Sequence, residues 1–422
     1  MSVNSSVGTL DIGLRVERSK PKDSLTLSVV IPALNEENGI SDIVERVQAA
    51  APGLRKVGVK NLEIIVVDDG SSDGTAKIVQ GLPNTRLLQH SVNRGYGAAI
   101  KSGFSQAKGE LLAFLDADGT YPPEHFPVLC RALLEQKADV VVGSRRSGAN
   151  SQMPKMRRLG NFIWSNLVSL LGNQRVQDPA SGMRVVRREM LPRIYPLPDG
   201  LNFTPVMSTR SVHEKLKVIE IPIPYAERVG DSKLTIVGDG TRFLTTILWT
   251  GLQYNPARLL GSIGLSAITV AGLIGTGVLR LRLQGTKSLG PWGVFSLFSA
   301  LVLGVAGVSI YSLGVTFNYL VALFHREPVR QNMFGPSFLN KVIEKKWGGM
   351  GVMAILSGTT ISGTSLMLSL KGWKMSRLWF WLLSSALLIL VGVQSVISWI
   401  LMRVLDVLNK REAHVEADIR GQ

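Results

Sequence analysis

The stretch that decides the fold is Leu111-Leu112-Ala113-Phe114-Leu115-Asp116-Ala117-Asp118-Gly119. Its five consecutive apolar residues, bounded by polar ones, are typical of a strand that is buried on both faces. Asp116 and Asp118 stand at the carboxyl end of that strand, where open α/β sheets bind ligands. The two carboxylates can share a divalent cation such as Mg²⁺, whose other ligands are usually substrate phosphates. An acidic turn is the alternative interpretation, since Asp-Gly is a common turn signal.

Strand and helix patterns alternate on both sides of this stretch. Apolar and β-branched runs predict further strands at residues 25–32, 62–67, 86–90 and 138–145. Between these runs, apolar residues recur at helical spacing. This alternation is typical of βαβ units, so we expect an α/β domain with a mostly parallel sheet.

Polar and acidic residues follow three of the predicted strands, as Asn35-Glu36, Asp68-Asp69 and Asp116-Ala117-Asp118. Because the carboxyl ends of parallel strands lie at one edge of a sheet, we expect these groups to converge. Like charges that converge need a cation and hydrogen-bond donors to neutralise them. For Asp68-Asp69-Gly70 considered alone, a simple turn is the alternative.

Glycine and arginine residues near the same edge favour an anionic ligand. Gly95-Tyr96-Gly97 lacks the third glycine of a dinucleotide fingerprint, so we expect its glycines to allow close backbone packing beside the ligand. Arg145 stands at a strand end, where its planar guanidinium can pair with two phosphate oxygens. A solvated basic face is the better interpretation for Arg146 and Arg158. The loop 228–233 is either a mobile clamp over phosphates or a plain connector.

Composition limits the possible partners. The chain has 422 residues, with 47 Lys and Arg against 31 Asp and Glu, a net charge of +16. This balance suits nucleic acid, anionic lipid or a phosphorylated substrate, but the long apolar runs of the second half argue against nucleic acid. The single cysteine, Cys130, allows no intrachain disulfide and indicates a reducing compartment. Residues 1–24 lack the apolar core of a signal peptide and are interpreted as a flexible leader.

The second half of the chain has the pattern of an all-α membrane domain. Four apolar runs each reach the roughly 20 residues that a spanning helix needs. They are residues 259–279, 292–320, 352–370 and 378–402. Shorter buried helices are the alternative, which the near absence of charge inside the runs disfavours. Residues 236–258 have the apolar helical face of a helix that lies in the membrane interface. Basic residues between the second and third runs and in the tail 403–422 place the globular part, residues 25–235, on the cytoplasmic side.

Seven motifs occur together in the globular part. They are VVIPALNEE at 29–37, VDDGSSDGT at 67–75, NRGYG at 93–97, DADG at 116–119, GSR at 143–145, DPASGMR at 178–184 and SKL at 232–234. In combination they resemble family 2 glycosyltransferases of the GT-A fold, in the polyprenyl-phosphate branch that includes dolichol-phosphate mannose synthase. The resemblance covers residues 25–235, and the multi-span tail is similar to that of membrane-anchored members.

The resemblance implies roles for individual residues. Donor binding is implied for Pro32, Leu34, Glu36, Asp69, Asp116, Ala117, Asp118, Arg228 and Lys233. Asp116 and Asp118 would be the metal-binding pair on Mg²⁺ or Mn²⁺, and Thr120 stands where many members have Gln. The acceptor phosphate would be bound by Arg145, Arg157 and Asn161. Asp178 would complete the catalytic set by orienting the acceptor or the sugar.

We therefore expect an inverting enzyme that moves a hexosyl group from a nucleotide sugar, of the UDP-glucose or GDP-mannose type, to undecaprenyl or dolichyl phosphate. An ionised acceptor phosphate needs no strong general base, and His90 and His125 are expected to be structural. One alternative is a processive polysaccharide synthase, for which the usual Gln-x-x-Arg-Trp motif is missing, and another is a non-catalytic membrane scaffold. The expected partners are a nucleotide sugar, a polyprenyl phosphate and the membrane, without nucleic acid and with a homo-oligomer left open.

Overall fold

The computed structural model describes residues 25–146, 155–172, 174–226, 236–286, 290–325 and 338–420. The chain divides into two compact units, Met1–Gly251 and Leu252–Gln422. Within the described residues, all strands belong to the first unit, and the second unit consists of long helices.

Seven strands form one sheet in the first unit. They are β1 (Leu25–Ala33), β2 (Val59–Asp68), β3 (Thr85–Gln89), β4 (Leu111–Leu115), β5 (Val140–Ser144), β6 (Met183–Arg187) and β7 (Val218–Pro222). Their order across the sheet is β3-β2-β1-β4-β6-β5-β7. All neighbouring strands are parallel except β6, which runs antiparallel to both β4 and β5. The expected mostly parallel sheet is therefore confirmed.

Helices connect the strands and pack on both faces of the sheet. They are α1 (Ile40–Ala49), α2 (Ala51–Lys56), α3 (Thr75–Gln80), α4 (Tyr96–Gln106), α5 (Phe126–Glu135), α6 (Lys155–Gly172), α7 (Leu191–Ile194) and α8 (Phe203–His213). A further helix, α9 (Ile236–Tyr254), follows β7. In the central strand β1, Ile31 belongs to the core on the face of α1 and α5, while Val30 packs on the opposite face with Phe104 of α4. This burial on both faces is why the strands appear in the sequence as nearly continuous apolar runs.

Strands β6 and β7 are not predicted from the sequence. β6 has the sequence MRVVR, whose two arginines obscure its strand character. Arg184 is nevertheless fully buried and pairs across the sheet with Phe114 of β4 and Val142 of β5. Because β6 runs antiparallel, its first residue pairs with the last residue of β4. The segment 178–182 that precedes β6 therefore lies at the edge of the sheet where β4 ends.

Four long helices make up the described part of the second unit. They are α10 (Pro256–Leu283), α11 (Pro291–His325), α12 (Phe338–Leu370) and α13 (Met375–Arg420). Each contains an apolar segment that is long enough to cross a membrane, so the expected four apolar helices are confirmed. Helix α10 begins earlier than the predicted run, because the Asn255 side chain accepts a hydrogen bond from the Arg258 backbone N–H and caps the helix.

Glycines allow close packing within pairs of these helices. A Cβ on Gly264 of α10 would lie 2.6 Å from the carbonyl oxygen of Gly307 in α11. Similarly, a Cβ on Gly351 of α12 would lie 2.9 Å from the carbonyl oxygen of Gly392 in α13. Such close backbone contact is typical of helices that associate in lipid, where small residues allow extensive van der Waals packing.

Candidate active site

The carboxyl ends of β2, β1 and β4 lie side by side at one edge of the sheet, because β1 lies between the other two. Asp69 follows β2, and its backbone N–H donates to the carbonyl oxygen of Ala33 at the end of β1 over 2.8 Å. Asp116 directly follows β4, and β6 brings the segment 178–182 to the same edge. The structure thus brings to one edge the acidic residues that the sequence places at separate strand ends.

Contacts on both sides hold the Asp116 carboxylate. The hydroxyl of Tyr96, the first residue of α4, donates to Asp116 Oδ1 over 2.6 Å. On the other side, a Cβ on Gly182 would lie only 2.1 Å from Asp116 Oδ2, so this approach requires glycine. The backbone N–H of Gly182 in turn donates to the Tyr121 hydroxyl oxygen over 2.7 Å. Burial and the negative charge of Asp116 raise the pKa of Tyr96 well above its ordinary value, so its hydroxyl stays protonated.

Asp69 anchors the loop that carries Tyr96. Its Oδ1 accepts from the backbone N–H of Arg94 over 2.9 Å, and its Oδ2 accepts from the backbone N–H of Gly95 over 2.8 Å. The His90 ring lies 2.6 Å from Asp69 Oδ1 through Nδ1, and its other nitrogen lies 2.9 Å from a serine hydroxyl. Asp69 therefore holds the backbone of this loop, and the His90 ring lies between Asp69 and Ser102.

The glycines on either side of Tyr96 allow the close packing that the sequence predicts. Gly95 has a φ of +103°, a left-handed conformation that favours glycine. A Cβ on Gly97 would lie 2.1 Å from the carbonyl oxygen of Pro198, so the loop rests directly on another stretch of backbone. The Tyr96 ring meets the ring of Phe203 edge-on, with 6.4 Å between centroids. Backbone and ring contacts together fix the position of the Tyr96 hydroxyl.

The loops after β1 and β2 interlock through reciprocal hydrogen bonds. Asn35 Oδ1 accepts from the backbone N–H of Ser72 over 2.8 Å, and the Asn35 backbone N–H donates to the Ser71 hydroxyl over 2.9 Å. The backbone N–H of Glu36 donates to the Thr75 hydroxyl over 2.9 Å. These hydrogen bonds hold the two loops together as one surface at the edge of the sheet where the acidic residues lie.

The remaining described residues of the predicted donor site lie along the same edge. Pro32 lies in β1, Leu34 lies in the loop that follows it, and Ala117 is buried between the two aspartates. The Thr120 hydroxyl donates to Asp118 Oδ1 over 2.6 Å. Thr120 thus orients Asp118 from the position where many family 2 enzymes have Gln.

A buried ion pair occupies the predicted acceptor side. Arg145 donates through Nε and Nη2 to the two carboxylate oxygens of Asp178, over 2.8 and 2.6 Å. Asn161 of α6 donates to Asp178 Oδ1 over 3.0 Å. The Arg145 guanidinium lies over the rings of Tyr121 and Tyr225, 5.9 and 5.5 Å from their centroids. Burial opposes the ionisation of Asp178, but the charge of Arg145 and the hydrogen bonds that Arg145 donates together outweigh it and hold the pKa of Asp178 below its ordinary value.

Asp178 is held inside a network of hydrogen bonds. Its side chain is 0% exposed, and both its oxygens accept hydrogen bonds from Arg145 or Asn161. Asp178 therefore positions these two residues, and its predicted catalytic role stays a prediction.

Several residues that shape the site are missed by sequence reasoning. Glu220 of β7 accepts hydrogen bonds from the backbone N–H groups of Gln177 and Asp178, each over 2.9 Å. The Arg184 guanidinium donates to the Pro179 carbonyl oxygen over 2.6 Å, and burial lowers its pKa to about 10. Glu220 lies in β7 and Arg184 lies in β6, the two strands that the pattern does not predict. Arg184 ends the DPASGMR motif, but the motif does not indicate which backbone groups its guanidinium binds.

Three predicted site residues lie outside what the structure describes. Arg228 and Lys233 fall in the segment 227–235, and the side chain of Arg157 in α6 is likewise outside the described part. Their predicted roles stay predictions.

Comparisons with known proteins give the family. Residues 28–195 match Glycosyl transferase family 2, and residues 256–416 match a Domain of unknown function (DUF8752). The undecaprenyl-phosphate 4-deoxy-4-formamido-L-arabinose transferase of Photorhabdus laumondii is 32% identical over 317 residues, which cover 73% of this chain and 92% of that protein. The chain belongs to glycosyl transferase family 2.

This glycosyltransferase is also similar to the low-salt glycan biosynthesis hexosyltransferase Agl6 of Haloferax volcanii, with 28% identity over 346 residues that cover 80% of the chain and 78% of that protein. Among solved structures, it is similar to the glucosyl-3-phosphoglycerate synthase of Mycobacterium tuberculosis in complex with Mn²⁺, uridine diphosphate and phosphoglyceric acid. That match has 22% identity and a TM-score of 0.43, and it covers 54% of the glycosyltransferase and 78% of the other chain. The family and the enzyme class predicted from the sequence are confirmed.

The acidic residues of the glycosyltransferase fit a divalent metal ion only in part. Its described residues contain no group of three or more His, Cys, Asp or Glu side chains that could hold such an ion. Asp116 and Asp118 offer a pair of hard oxygen ligands, which suits Mg²⁺ or Mn²⁺. These ions are commonly bound by one or two carboxylates together with substrate phosphates. The residues present therefore fit a metal ion whose ligand set is completed by a phosphorylated donor.

Proposed function

We propose that this glycosyltransferase moves a hexosyl group from a nucleotide sugar to polyprenyl phosphate, with inversion at the anomeric carbon. The observation that carries the proposal is that one side chain, Tyr121, joins a carboxylate subsite to a subsite that holds an arginine guanidinium. The Tyr121 ring lies 5.9 Å from the Arg145 guanidinium, and its hydroxyl binds the Gly182 backbone beside the Asp116 carboxylate. A carboxylate site that suits a metal-bound diphosphate thus adjoins a cation that suits an anionic acceptor.

On the donor side, we assign Asp116 and Asp118 to a Mg²⁺ or Mn²⁺ ion and the nucleotide to the loops after β1 and β2. Bound there, the ion would stabilise the charge that develops on the departing diphosphate. The other residues assigned to the donor are Pro32, Leu34, Glu36, Asp69, Ala117, Arg228 and Lys233. The hexosyltransferase activity in the name of the Haloferax relative supports a hexose donor, and we propose one of the UDP-glucose or GDP-mannose type.

On the acceptor side, we assign Arg145, Arg157 and Asn161 to the lipid phosphate. A phosphate monoester carries about −1.5 to −2 charges at pH 7, so it attacks without a strong general base. Asp178 pre-positions the Arg145 side chain through two hydrogen bonds, and the Asn161 side chain through one, which reduces the ordering that the acceptor must impose. The undecaprenyl phosphate in the name of the Photorhabdus relative supports this type of acceptor.

The lipid chain of such an acceptor requires a site that works at a membrane. The four apolar helices support integration into a bilayer. One residue, Asn255, separates α9 from α10, and α9 exposes Trp249, so we place residues 236–258 in the membrane interface. The basic connection 326–346 and the tail 403–422 support a cytoplasmic position for the catalytic domain, residues 25–235.

The test measures transfer of radiolabelled sugar by the full-length protein in detergent. Wild-type protein with Mn²⁺ and either UDP-glucose or GDP-mannose should label a short polyprenyl phosphate. Asp116→Asn and Asp118→Asn should each lower the rate by about 100-fold or more, as expected when charge stabilisation in a reacting site is lost. Glu124→Gln, which changes an exposed carboxylate paired with Arg46, is the control and should keep the wild-type rate. Wild-type rates in both Asn variants would overturn the metal assignment.

The products distinguish the proposed transfer from the alternative function. A long polymer among the products would identify a processive synthase.

A further inference from the structure

We propose that Tyr96 is a positioning residue that orients the Asp116 carboxylate for the metal ion and thereby raises the affinity of the site for it. The inference rests on the proposed function, because it takes Asp116 as a metal ligand. Its starting point is the 2.6 Å hydrogen bond that the half-buried Tyr96 side chain donates through its hydroxyl to Asp116 Oδ1. Nothing in the spacing of the sequence motifs singles out this contact.

The Tyr96 hydroxyl can orient a carboxylate because it is itself held in place from several directions. Asp69 binds the backbone N–H groups of Arg94 and Gly95 immediately before Tyr96 in the chain. The Tyr96 ring packs edge-on against the ring of Phe203. A side chain held by both backbone and ring contacts retains little rotamer freedom to lose when it forms a hydrogen bond.

The opposite side of the carboxylate is confined as well. The approach of Gly182 to Asp116 Oδ2 leaves no room for even a Cβ atom, since the gap would be 2.1 Å. Asp116 therefore lies between a fixed hydroxyl and a fixed backbone segment, which restricts it to one orientation.

The chemistry of the donor also suits a metal ligand. A tyrosine hydroxyl is neutral, so it orients Asp116 without cancelling the negative charge that attracts a cation. Hydrogen-bond partners that orient ligating carboxylates typically contribute about 10- to 100-fold to metal affinity. We therefore expect Tyr96 to contribute about tenfold to the affinity for Mn²⁺, at the lower end of this range.

The experiment measures Mn²⁺ binding by the electron paramagnetic resonance signal of the free ion, with the full-length protein in detergent. Titrations are run with Mn²⁺ alone, with Mn²⁺ and UDP, and with Mn²⁺ and GDP. Tyr96→Phe keeps the ring and removes only the hydroxyl, and it should weaken Mn²⁺ binding about tenfold. Tyr195→Phe, the same change at a half-buried tyrosine elsewhere in the first unit, is the matched control and should bind Mn²⁺ like the wild type.

Asp116→Asn separates failure of the inference from failure of the proposed function. If Asp116→Asn abolishes Mn²⁺ binding and Tyr96→Phe stays within twofold of the wild type, the inference on Tyr96 is wrong while the metal assignment stands. If Asp116→Asn binds Mn²⁺ like the wild type, or the wild type binds none in any titration, both are wrong. Should Tyr96→Phe lose cooperative unfolding, Phe203→Leu loosens the tyrosine without removing its hydroxyl. That variant should weaken Mn²⁺ binding several-fold, and unchanged binding would overturn the inference.

Discussion

Gly182→Ala is expected to displace the Asp116 carboxylate while the protein remains folded. A Cβ on residue 182 would lie 2.1 Å from Oδ2, 2.5 Å from Cγ and 2.6 Å from Oδ1 of Asp116, although Cβ atoms essentially never approach other heavy atoms within 3.0 Å. The carboxylate or the backbone must therefore move by about 1 Å to relieve the overlap.

The magnitude of the effect follows from what that movement disturbs. A shift of about 1 Å stretches the Tyr96 hydrogen bond well beyond its 2.6 Å length and misplaces a predicted metal ligand. Misplacement of this size in a reacting site costs on the order of 100-fold in rate. Overpacking by one methyl group costs about 1–3 kcal/mol of folding stability, which leaves a folded protein.

The assay compares the sugar-transfer rate and the unfolding temperature of Gly182→Ala with those of Gly81→Ala. In the control, the new Cβ would lie 3.4 Å from the Ile78 carbonyl oxygen, an ordinary contact, at a residue with α-helical φ and ψ. Gly81→Ala should keep the wild-type rate. A Gly182→Ala rate within threefold of the wild type, in a protein that unfolds normally, would refute the argument that the orientation of Asp116 matters.

Two further predictions concern buried ionisable groups. Asp178→Asn leaves Arg145 without its buried, charged partner, so the free energy of unfolding in urea should fall by about 3–5 kcal/mol. The control Glu124→Gln, at the exposed pair with Arg46, should change this free energy by less than about 1 kcal/mol. Because the folded pKa of Asp178 lies below its unfolded value, its contribution to stability is present at neutral pH and is lost as the pH falls through the folded pKa. If the free energy of unfolding of Asp178→Asn depended on acidic pH in the same way as that of the wild type, this prediction would be contradicted. Burial raises the pKa of Cys130 to about 12, so the thiol of the native protein should resist alkylation by iodoacetamide at pH 8. Mass spectrometry should detect alkylation only after the protein is unfolded, and rapid alkylation of the native protein would show that the thiol is accessible.

The elements that could be predicted from the sequence are those whose environment, a protein core or a lipid bilayer, requires a run of apolar residues. Strand β4 is buried on both faces, so all five of its residues are apolar and the strand is evident in the sequence. The same holds for the four long helices, because a bilayer demands about 20 apolar residues in succession. Asp116 and Asp118 were identified as a candidate site because they directly follow such a strand.

The strands of the sheet that contain exposed or charged residues could not be predicted in this way. Strand β6 carries two arginines in five residues, and Arg184 is buried only because the Pro179 and Ser181 carbonyl oxygens accept its hydrogen bonds. A local pattern cannot show that a charged residue will find such partners, so neither the strand nor its antiparallel insertion between β4 and β5 was predicted.

The sequence by itself determined the βαβ class, the family motifs, the acidic strand ends and the four apolar helices, because hydrophobic burial and backbone geometry act within a few neighbouring residues. Only the tertiary structure decided that Tyr96 holds Asp116, that Asp178 binds Arg145, and that the Gly182 backbone binds Tyr121. These contacts join residues that are 20, 33 and 61 positions apart. Contacts over such separations depend on how the strands and loops are arranged in the sheet, and short-range residue patterns do not encode which partners that arrangement brings together.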